Sequence, residues 1–383
     1  MGRDLLEWLR GRTDEMTELL CRLASAESPS HEPKAQREAR EILEAELAGV
    51  GLEVETLLGE ESGDHLLASA PGGGEPHQLL LGHLDTVWPL GTVERMPVRA
   101  EDGLVYGPGV FDMKGGLVQM IFALRALAER EIAPACRPVI LINADEEIGS
   151  RDSRPHVERL ARDAARVLVL EPAFGHAGKL KTARKGVGRF TLTVQGVASH
   201  AGLDPEAGVS AILELSRQVQ RLFELNDPER GVTVNVGTID GGLRPNVIAP
   251  EAVARIEARV VDSDDAAWVA ERIRGLEPIA EGVALRVEGG FGRPPLERTP
   301  RNRALWRLAR DTAAGLGIEL DEALVGGASD GNVASAYAPT LDGLGAVGDG
   351  AHAEHEQVVV ERMPERAALV AMLLAAPVGA EAA

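Results

Sequence analysis

Cysteine, aromatic side chains and net positive charge are all scarce in this sequence of 383 residues. Its two cysteines, Cys21 and Cys136, are too few for the disulfide framework of a small secreted protein. Aromatic residues make up only 3% of the chain, which disfavours the stacking platforms that bind single-stranded nucleic acid. The formal net charge of −20 argues against nucleic acid and anionic membrane surfaces as partners, because both carry negative charge themselves.

Long apolar runs are missing as well. The first 30 residues carry a charge every few positions, so they contain no apolar signal segment. The longest apolar stretch, 367–379, is interrupted by Pro377 and falls short of the roughly 20 residues that cross a bilayer. Hydrophobic residues still make up 44% of the chain, enough for a sizeable core. We therefore expect a soluble, cytoplasmic protein with no membrane partner.

Short apolar runs alternate with helical patterns in the first half of the chain. Short runs in which every residue except Gln78 is apolar stand at 78–81, 138–142 and 167–170. Apolar residues at helical spacing are found at 5–23, 34–48, 115–130 and 155–165. Continuous apolar strands between helices are typical of a largely parallel sheet that is covered on both faces.

The pattern changes after Gly178. Strands of alternating polarity are predicted at 189–195, 232–239, 252–261 and 284–288, with helices at about 207–225 and 264–275. The order β-α-β-β-α-β is typical of a ferredoxin-like sandwich. An α/β pattern returns after Asn302. The sequence thus predicts a doubly wound, mainly parallel α/β catalytic domain, formed by 1–180 and 296–383, into which a ferredoxin-like α+β domain at 181–295 is inserted.

Candidate metal ligands directly follow three of the predicted apolar strands. They are His83 with Asp85, then Glu147, then Glu171. In a doubly wound sheet, ligands collect beyond the carboxyl ends of the strands, so these side chains should converge. Imidazole and carboxylate ligands together suit zinc, with cobalt or manganese as substitutes.

Three further candidates lie near glycine-rich turns or beside these ligands. Asp112 begins a predicted helix, where a carboxylate gains from the helix dipole. His352 lies in the glycine-bounded loop 348–352. Glu146 and Glu147 are adjacent and point apart in an extended chain, so one can bind a metal while the other activates water as general base. Six other histidines are interpreted as structural or surface residues: His31, His65, His77, His156, His176 and His355.

Four motifs resemble those of the di-zinc metallopeptidases that include carboxypeptidase G (glutamate carboxypeptidase), the aminoacylases, acetylornithine deacetylase and succinyl-diaminopimelate desuccinylase. They are Gly-His-Leu-Asp-Thr-Val at 82–87, Gly-Pro-Gly-Val-Phe-Asp-Met-Lys-Gly-Gly at 107–116, Asp-Glu-Glu-Ile-Gly-Ser at 145–150 and Ala-Ser-His-Ala-Gly at 198–202. The resemblance covers nearly the whole chain. It implies a catalytic domain with an inserted lid and dimerisation domain, and two zinc ions per chain.

The resemblance also implies how the ligands are shared between the metals. His83 and Glu171 would bind one zinc ion, Glu147 and His352 the other, and Asp112 would bridge both. The peptide bond after Asp112 would be cis. A glutamate four residues after His352 fits the family pattern and favours this histidine over His355.

Three more residues take catalytic roles from the resemblance. Asp85 would orient His83, and Glu146 would be the general base on a water that bridges the two metals. His200 would reach the active site of the partner subunit and stabilise the developing oxyanion. The enzyme would therefore work as a homodimer.

Substrate contacts are predicted in the inserted domain. Arg259 and Arg293 resemble carboxylate-binding arginines of carboxypeptidase G, and a planar guanidinium suits such a partner. Asn246 resembles an asparagine that contacts the substrate from the lid. The basic run at 179–185 is either part of such a site or a solvated turn. The segment 326–332 resembles the Gly-Gly-x-Ser-Asp-Gly-Asn segment of carboxypeptidase G-like proteins, which implies that it lines the pocket with backbone groups.

The expected function is zinc-dependent hydrolysis of the amide bond of N-acyl amino acids or small peptides, with release of C-terminal glutamate. A deacylase of N-acetyl-amino-acid or acetylornithine type is the alternative among enzymes. A non-catalytic binding protein on the same fold is the alternative of another class, although every expected ligand position is filled. Loss of hydrolysis on substitution of Glu146 would separate an enzyme from a pure binding protein.

Overall fold

The computed structural model of the chain describes residues 2–72, 74 and 76–379. The chain divides into two compact units, one formed by Met1–Thr182, Arg298–Leu324 and Ser329–Ala383, the other by Ala183–Glu297 and Val325–Ala328. The predicted catalytic ranges include Met1, Gly73, Glu75 and residues 380–383, which lie outside the described residues. The lid and dimerisation role of the inserted segment stays a prediction.

The helices and strands are numbered in chain order. The helices are Gly2–Arg10 (α1), Thr13–Ser25 (α2), Arg37–Gly49 (α3), Gly115–Glu129 (α4), Arg154–Arg162 (α5), Ala211–Phe223 (α6), Ser263–Arg274 (α7), Pro300–Leu316 (α8), Asp330–Ala334 (α9) and Met363–Ala375 (α10). The strands are Glu53–Leu57 (β1), His65–Ser69 (β2), His77–His83 (β3), Arg99–Glu101 (β4), Leu104–Tyr106 (β5), Arg137–Asn143 (β6), Ala164–Val169 (β7), Leu180–Arg184 (β8), Gly186–Gln195 (β9), Thr233–Gly241 (β10), Glu251–Val260 (β11), Ala284–Arg293 (β12), Glu322–Val325 (β13), Thr340–Leu341 (β14), Gly348–Asp349 (β15) and Gln357–Val359 (β16). None of the helices in the described part of the chain has the length and apolar composition needed to cross a membrane.

A six-stranded, mainly parallel sheet organises the first unit. Its strand order is β1-β2-β6-β3-β7-β14, in which β6, β3, β7 and β14 run parallel. Leu80 and Leu168 pack into an apolar core on one face, whereas Leu79 and Val167 pack into a second core on the other. Because successive residues of a strand point to opposite faces, the continuous apolar runs serve both cores. The predicted doubly wound α/β fold is confirmed.

The second unit has the order β9-α6-β10-β11-α7-β12. Its four strands form an antiparallel sheet with the order β10-β11-β9-β12. Leu192 and Ile256 of the sheet share one apolar core with Leu215 of α6 and Val269 of α7. Both helices therefore cover the same face, which confirms the predicted ferredoxin-like sandwich.

One local prediction is wrong, and one of two alternatives that the sequence leaves open is excluded. The single helix predicted at 5–23 is two helices, α1 and α2, because the chain turns at Gly11 and Arg12. Both helices bury leucines in the same core, so their apolar spacing continues across the break. The solvated turn that was one interpretation of 179–185 is instead largely strand β8, whose residues are all buried.

Candidate metal centre

The predicted ligand segments meet at the carboxyl edge of the parallel sheet. His83 ends β3 and is in register with Asn143, which ends the neighbouring strand β6. On the other side of β3 lies β7. Glu147 and Glu171 follow β6 and β7 within a few residues. Parallel strands that end at one edge thus bring together residues far apart in the sequence, as expected for this fold.

Asp112 presents one carboxylate oxygen to each of two histidines. Its Oδ1 lies 3.4 Å from His83 Nε2, and its Oδ2 lies 3.5 Å from His352 Nε2. Glu171 Oε1 lies 3.6 Å from His83 Nε2. Glu147 Oε2 lies 3.3 Å from His352 Nε2. The five side chains therefore form two sets that share Asp112.

These separations fit side chains arranged around metal ions. Zinc bonds of about 2.0–2.2 Å place tetrahedral N and O ligands about 3.3–3.6 Å from one another. His83 Nε2 and Asp112 Oδ1 are buried and make no hydrogen bond among the described residues, which is costly unless another partner is present. Two groups have ligand atoms that all lie within 4.8 Å of one another: His83 with Asp112 and Glu147, and His83 with Glu146 and Glu171. The residues present therefore fit divalent metal ions.

The electrostatics of the cluster favour a cation. Burial alone would lower the pKa of His83, but the facing carboxylates of Asp112 and Asp85 raise this pKa well above its usual value. Hydrogen bonds to Asp112 and Glu147 raise the pKa of His352 to about 10. Both imidazoles thus lie in a strongly negative potential, which also favours a bound metal ion.

His352, rather than His355, reaches this cluster. His355 Nε2 lies 4.0 Å from Asp349 Oδ2, next to a different carboxylate. His352 has a φ of +60°, in the left-handed region that residues other than glycine rarely adopt. Such a conformation costs about 1–3 kcal/mol and is concentrated at functional sites. The loop holds His352 in this conformation while its Nε2 lies 3.3 Å from Glu147.

Asp85 holds both the histidine and the two adjacent glutamates. His83 Nδ1 lies 3.0 Å from the backbone oxygen of Asp85 and 3.4 Å from its Oδ1, which leaves Nε2 facing the cluster. The Asp85 carboxylate accepts hydrogen bonds from the backbone N–H groups of Glu146 and Glu147, both at 3.2 Å. Ser30 Oγ donates to the same carboxylate at 2.7 Å. Asp85 therefore contacts the loop of the two glutamates as well as His83.

The segment after Asp112 packs closely against the end of β7. The peptide bond Asp112–Met113 is cis, as the resemblance implies. Helix α4 begins two residues later, and a Cβ added at Gly116 would lie 2.0 Å from the backbone oxygen of Leu170. Only glycine permits this approach. It brings the start of α4 next to the residue that precedes Glu171.

Sequence reasoning missed several side chains that support the cluster. Lys181 Nζ lies 3.9 Å from Glu171 Oε2, whereas the sequence pattern indicates only a basic run at this position. Ser150 Oγ and Asn143 Nδ2 both donate to the carboxylate of Asp330, each at 2.5 Å. The segment 326–332 was expected to contribute backbone groups, yet the Asp330 side chain also braces the loop that carries Glu147. No local pattern marks these contacts, since the partners lie far apart in the sequence.

His200 and Asn246 lie beside each other in the second unit. The backbone N–H of Ala201 donates to the backbone oxygen of Asn246 at 3.0 Å. The exposed His200 ring accepts hydrogen bonds at Nδ1 from the N–H groups two and three residues further on, both at 3.2 Å. A neutral imidazole that accepts at Nδ1 carries its proton on Nε2, so His200 offers a hydrogen-bond donor there.

Arg259 and Arg293 occupy one row of the antiparallel sheet. Both are in register with Val187 of the central strand β9, Arg259 on β11 and Arg293 on β12. Arg259 already donates to Glu257 at 2.8 Å and to the backbone oxygen of Gly326 at 2.6 Å. The two predicted carboxylate-binding arginines are thus two strand spacings apart, about 10 Å.

Comparison with known proteins identifies the family. The model of Peptidase family M20/M25/M40 matches residues 79–376. The chain is 29% identical over 374 residues to carboxypeptidase G2 from Pseudomonas sp. (strain RS-16). The aligned region covers 94% of this chain and 90% of that protein. It is 29% identical over 362 residues to succinyl-diaminopimelate desuccinylase from Acidiphilium cryptum (strain JF-5), with coverage of 88% and 92%.

A solved structure shows the same fold. Aminopeptidase PepT from Bacillus cereus ATCC 10987 superposes with a TM-score of 0.75 and 23% sequence identity, over 97% of this chain and 98% of that one. The resemblance stated from the motifs is therefore confirmed by the family match, which extends over more than half of the chain. The chain belongs to peptidase family M20/M25/M40.

Proposed function

We propose that this protein is a di-zinc hydrolase that cleaves the amide bond of N-acyl amino acids or small peptides, with release of C-terminal glutamate. The observation that carries the proposal is the Asp112 carboxylate, whose two oxygens face two histidines at 3.4 and 3.5 Å. A carboxylate shared in this way suits a pair of metal ions that act on one bond. The proposed location is the cytoplasm, where Cys21 and Cys136, both unpaired, would stay reduced.

Each metal site in the proposal has its own imidazole and its own carboxylate. His83 and Glu171 would hold one zinc ion, Glu147 and His352 would hold the other, and Asp112 would contribute to both sites. The mixed nitrogen and oxygen donors suit zinc, and cobalt or manganese can substitute. When bound, the metal ions supply Lewis-acid activation of the amide carbonyl and of a water molecule.

Glu146 moves the proton in this proposal. Its carboxylate accepts the proton of the attacking water and delivers it to the leaving amine. The position of Glu146 supports this role, because it lies within ligand distance of His83 and Glu171. Asp85 accepts hydrogen bonds from the backbone N–H groups of both Glu146 and Glu147, so it fixes the backbone that carries the two side chains.

His200 is the proposed donor to the substrate carbonyl. As negative charge develops on that oxygen, the Nε2–H of His200 would stabilise it, an effect worth a few kcal/mol at such positions. Two N–H groups at Nδ1 support this role because they select the tautomer with the proton on Nε2. Because the resemblance assigns His200 to the partner's active site, the proposed active form is a homodimer.

The second unit offers a surface for such a dimer. Strand β10 lies at the edge of the sheet, and Ile239 on it is 54% exposed. Helix α6 exposes Ile212, Leu213 and Phe223 at 46%, 53% and 47%. Within the described part of the chain no strand pairs with the outer edge of β10, and a strand edge of this kind beside exposed apolar side chains is a surface that a second copy would cover.

Substrate specificity is assigned to the arginine row and to Asn246. Arg259 and Arg293 would bind the carboxylates of a terminal glutamate, for which the fork geometry of guanidinium is suited. Their common register with Val187 supports this pairing. Asn246 lies next to His200 at the opposite end of the sheet from the arginine row, because β11 begins opposite Gln195 and is opposite Val187 only at Arg259. Asn246 would therefore bind the substrate from the lid together with His200.

Arg259→Gln is expected to lower kcat/KM for glutamate-ending substrates by about 10–100-fold, since a hydrogen bond to a charged group is worth about 1.5–3 kcal/mol. Substrates that end in alanine should lose less, because they offer one carboxylate instead of two. Arg255→Gln is the matched control, as Arg255 lies four residues earlier on the same strand and is exposed. Equal losses for both substrate types, or equal effects of both variants, would contradict the assignment.

Amino-acid release from a panel of N-acyl amino acids, dipeptides and folate-type glutamates tests the function. We expect glutamate to be released fastest, and we expect a chelator to stop the reaction and added zinc to restore it. Release of other amino acids in preference to glutamate would support the deacylase alternative. That alternative is favoured by the similarity to a desuccinylase, at the same 29% identity as to carboxypeptidase G2.

A further inference from the structure

The carboxylate of Glu356 holds the loop that carries Asp112. Glu356 Oε1 accepts hydrogen bonds from the backbone N–H groups of Phe111 at 2.9 Å and Asp112 at 3.0 Å. Its Oε2 accepts from the backbone N–H of Gly109 at 2.9 Å and from the indole Nε1 of Trp88 at 2.9 Å. Glu356 is only 1% exposed, so these four bonds form away from water.

Hydrogen bonds stabilise the Glu356 carboxylate in its buried position. Burial of an ionised group is costly unless hydrogen bonds satisfy it, and bonds to a charged acceptor are about twice as strong as neutral ones. Both oxygens of Glu356 carry two donors each, so the group is well satisfied. Three of the four donors belong to the single turn 109–112. The Glu356 carboxylate therefore binds mainly one backbone segment.

We propose that Glu356 is a positioning residue that sets the direction of the Asp112 carboxylate between the two metal sites. By binding the N–H of Asp112 itself, Glu356 fixes the backbone from which that side chain departs. Glu356 also follows His352 by four residues in the same loop, so one loop supplies a histidine ligand and the anchor of the shared carboxylate. Displacements of about 1 Å at such sites weaken metal binding and catalysis. This inference rests on the proposed metal centre.

Glutamine cannot replace Glu356 in this role. The side-chain amide has one acceptor oxygen and one NH₂ group, which only donates. Since each oxygen of Glu356 accepts two N–H groups, either orientation of the amide would turn its NH₂ toward two donors. At least two hydrogen bonds to the Asp112 turn or to Trp88 would be lost, although the size of the side chain is unchanged.

The test compares metal affinity in the wild type, Glu356→Gln and Trp88→Phe by competition with a chelating dye. We expect Glu356→Gln to weaken zinc affinity about 10–100-fold, as is typical for partners of metal ligands. Trp88→Phe removes one of four bonds and keeps all three to the turn, so its affinity should stay within about threefold. The absorption spectrum of the Co²⁺-loaded protein should change in Glu356→Gln alone, and kcat should fall more than KM rises.

Arg166→Lys controls for loss of stability. Arg166 is fully buried at the start of β7, the opposite end of that strand from Glu171, and donates to Gln78 and to the backbone oxygen of Ala376. We expect this variant to lower the thermal midpoint without changing zinc affinity. An equal loss of affinity in Arg166→Lys would overturn the proposal, as would wild-type affinity and spectrum in Glu356→Gln.

Two further outcomes are also decisive. If Glu356→Gln does not fold, Glu356→Asp carries the test, because it keeps both acceptors but withdraws them by about 1.5 Å. Its zinc affinity should then fall about tenfold, and an unchanged value would overturn the proposal. Absence of metal binding in the wild type would instead refute the proposed metal centre, a result that is distinct from equal affinities in wild type and variant.

Discussion

Glutamine in place of Glu146 is expected to lower kcat by about 10²–10⁴-fold, the usual contribution of a positioned general base. The amide has almost the same shape but cannot accept a proton from water at neutral pH. The backbone N–H of Glu146 would keep its hydrogen bond to Asp85, so the loop should stay in place. Steady-state hydrolysis of the best substrate of the panel, together with the metal content per chain, gives both readouts. We expect two metal ions in the variant, as in the wild type.

The same substitution one residue further on provides the matched control. Glu147→Gln changes a carboxylate whose oxygen lies 3.3 Å from His352 Nε2, so it should weaken one metal site as well as activity. Glu146 also lies within ligand distance of His83 and Glu171, so the comparison tests whether Glu146 is itself a metal ligand. Loss of metal in Glu146→Gln equal to that in Glu147→Gln would make Glu146 a ligand and refute its role as base. A wild type that binds two metals and cleaves nothing in the panel would favour the binding-protein alternative.

The convergence of the metal centre follows from the hydrophobic pattern. Continuous apolar runs predict strands buried on both faces, and such strands run parallel with their carboxyl ends at one edge. His83, Glu147 and Glu171 each follow a run of this kind, so their proximity is predictable without a structure. The inserted unit is predictable from a different pattern. Its strands alternate in polarity, because only one face of the sheet packs against an apolar core. The period of the hydrophobic pattern therefore distinguishes the parallel α/β unit from the antiparallel inserted unit.

The supporting contacts are not predictable in this way. Ser30 binds Asp85 across 55 residues, and Ser150 binds Asp330 across 180. Glu356 binds the backbone of Asp112 across 244 residues. Serine and carboxylate side chains at such positions look like ordinary loop residues in the sequence, because their partners are set by the folded backbone. The break between α1 and α2 was missed for a related reason, as both helices bury apolar residues in one core across the turn at Gly11.

Asp112→Asn is expected to weaken both metal sites, whereas the substitution of any other ligand should weaken one. The amide keeps the backbone N–H that Glu356 binds, so the turn should remain. It replaces one of the two carboxylate oxygens by NH₂, which cannot bind a metal, and it removes the negative charge from both sets. His352→Ala is the matched single-site variant, because His352 faces only the Glu147 side of Asp112. We expect metal content near zero in the first variant and near one ion per chain in the second.

Thermal unfolding with and without chelator measures the same difference independently of hydrolysis. A ligand at 100 times its Kd stabilises the folded state by about 2.7 kcal/mol, which corresponds to several °C in the unfolding midpoint of a protein of this size. Chelation should therefore lower the midpoint of the wild type by the sum of two such contributions, of His352→Ala by one, and of Asp112→Asn by almost none. Two ions retained in Asp112→Asn would show that the carboxylate is not shared. One ion retained would assign Asp112 to a single site, and its second oxygen, 3.5 Å from His352, would then be a hydrogen-bond acceptor rather than a ligand.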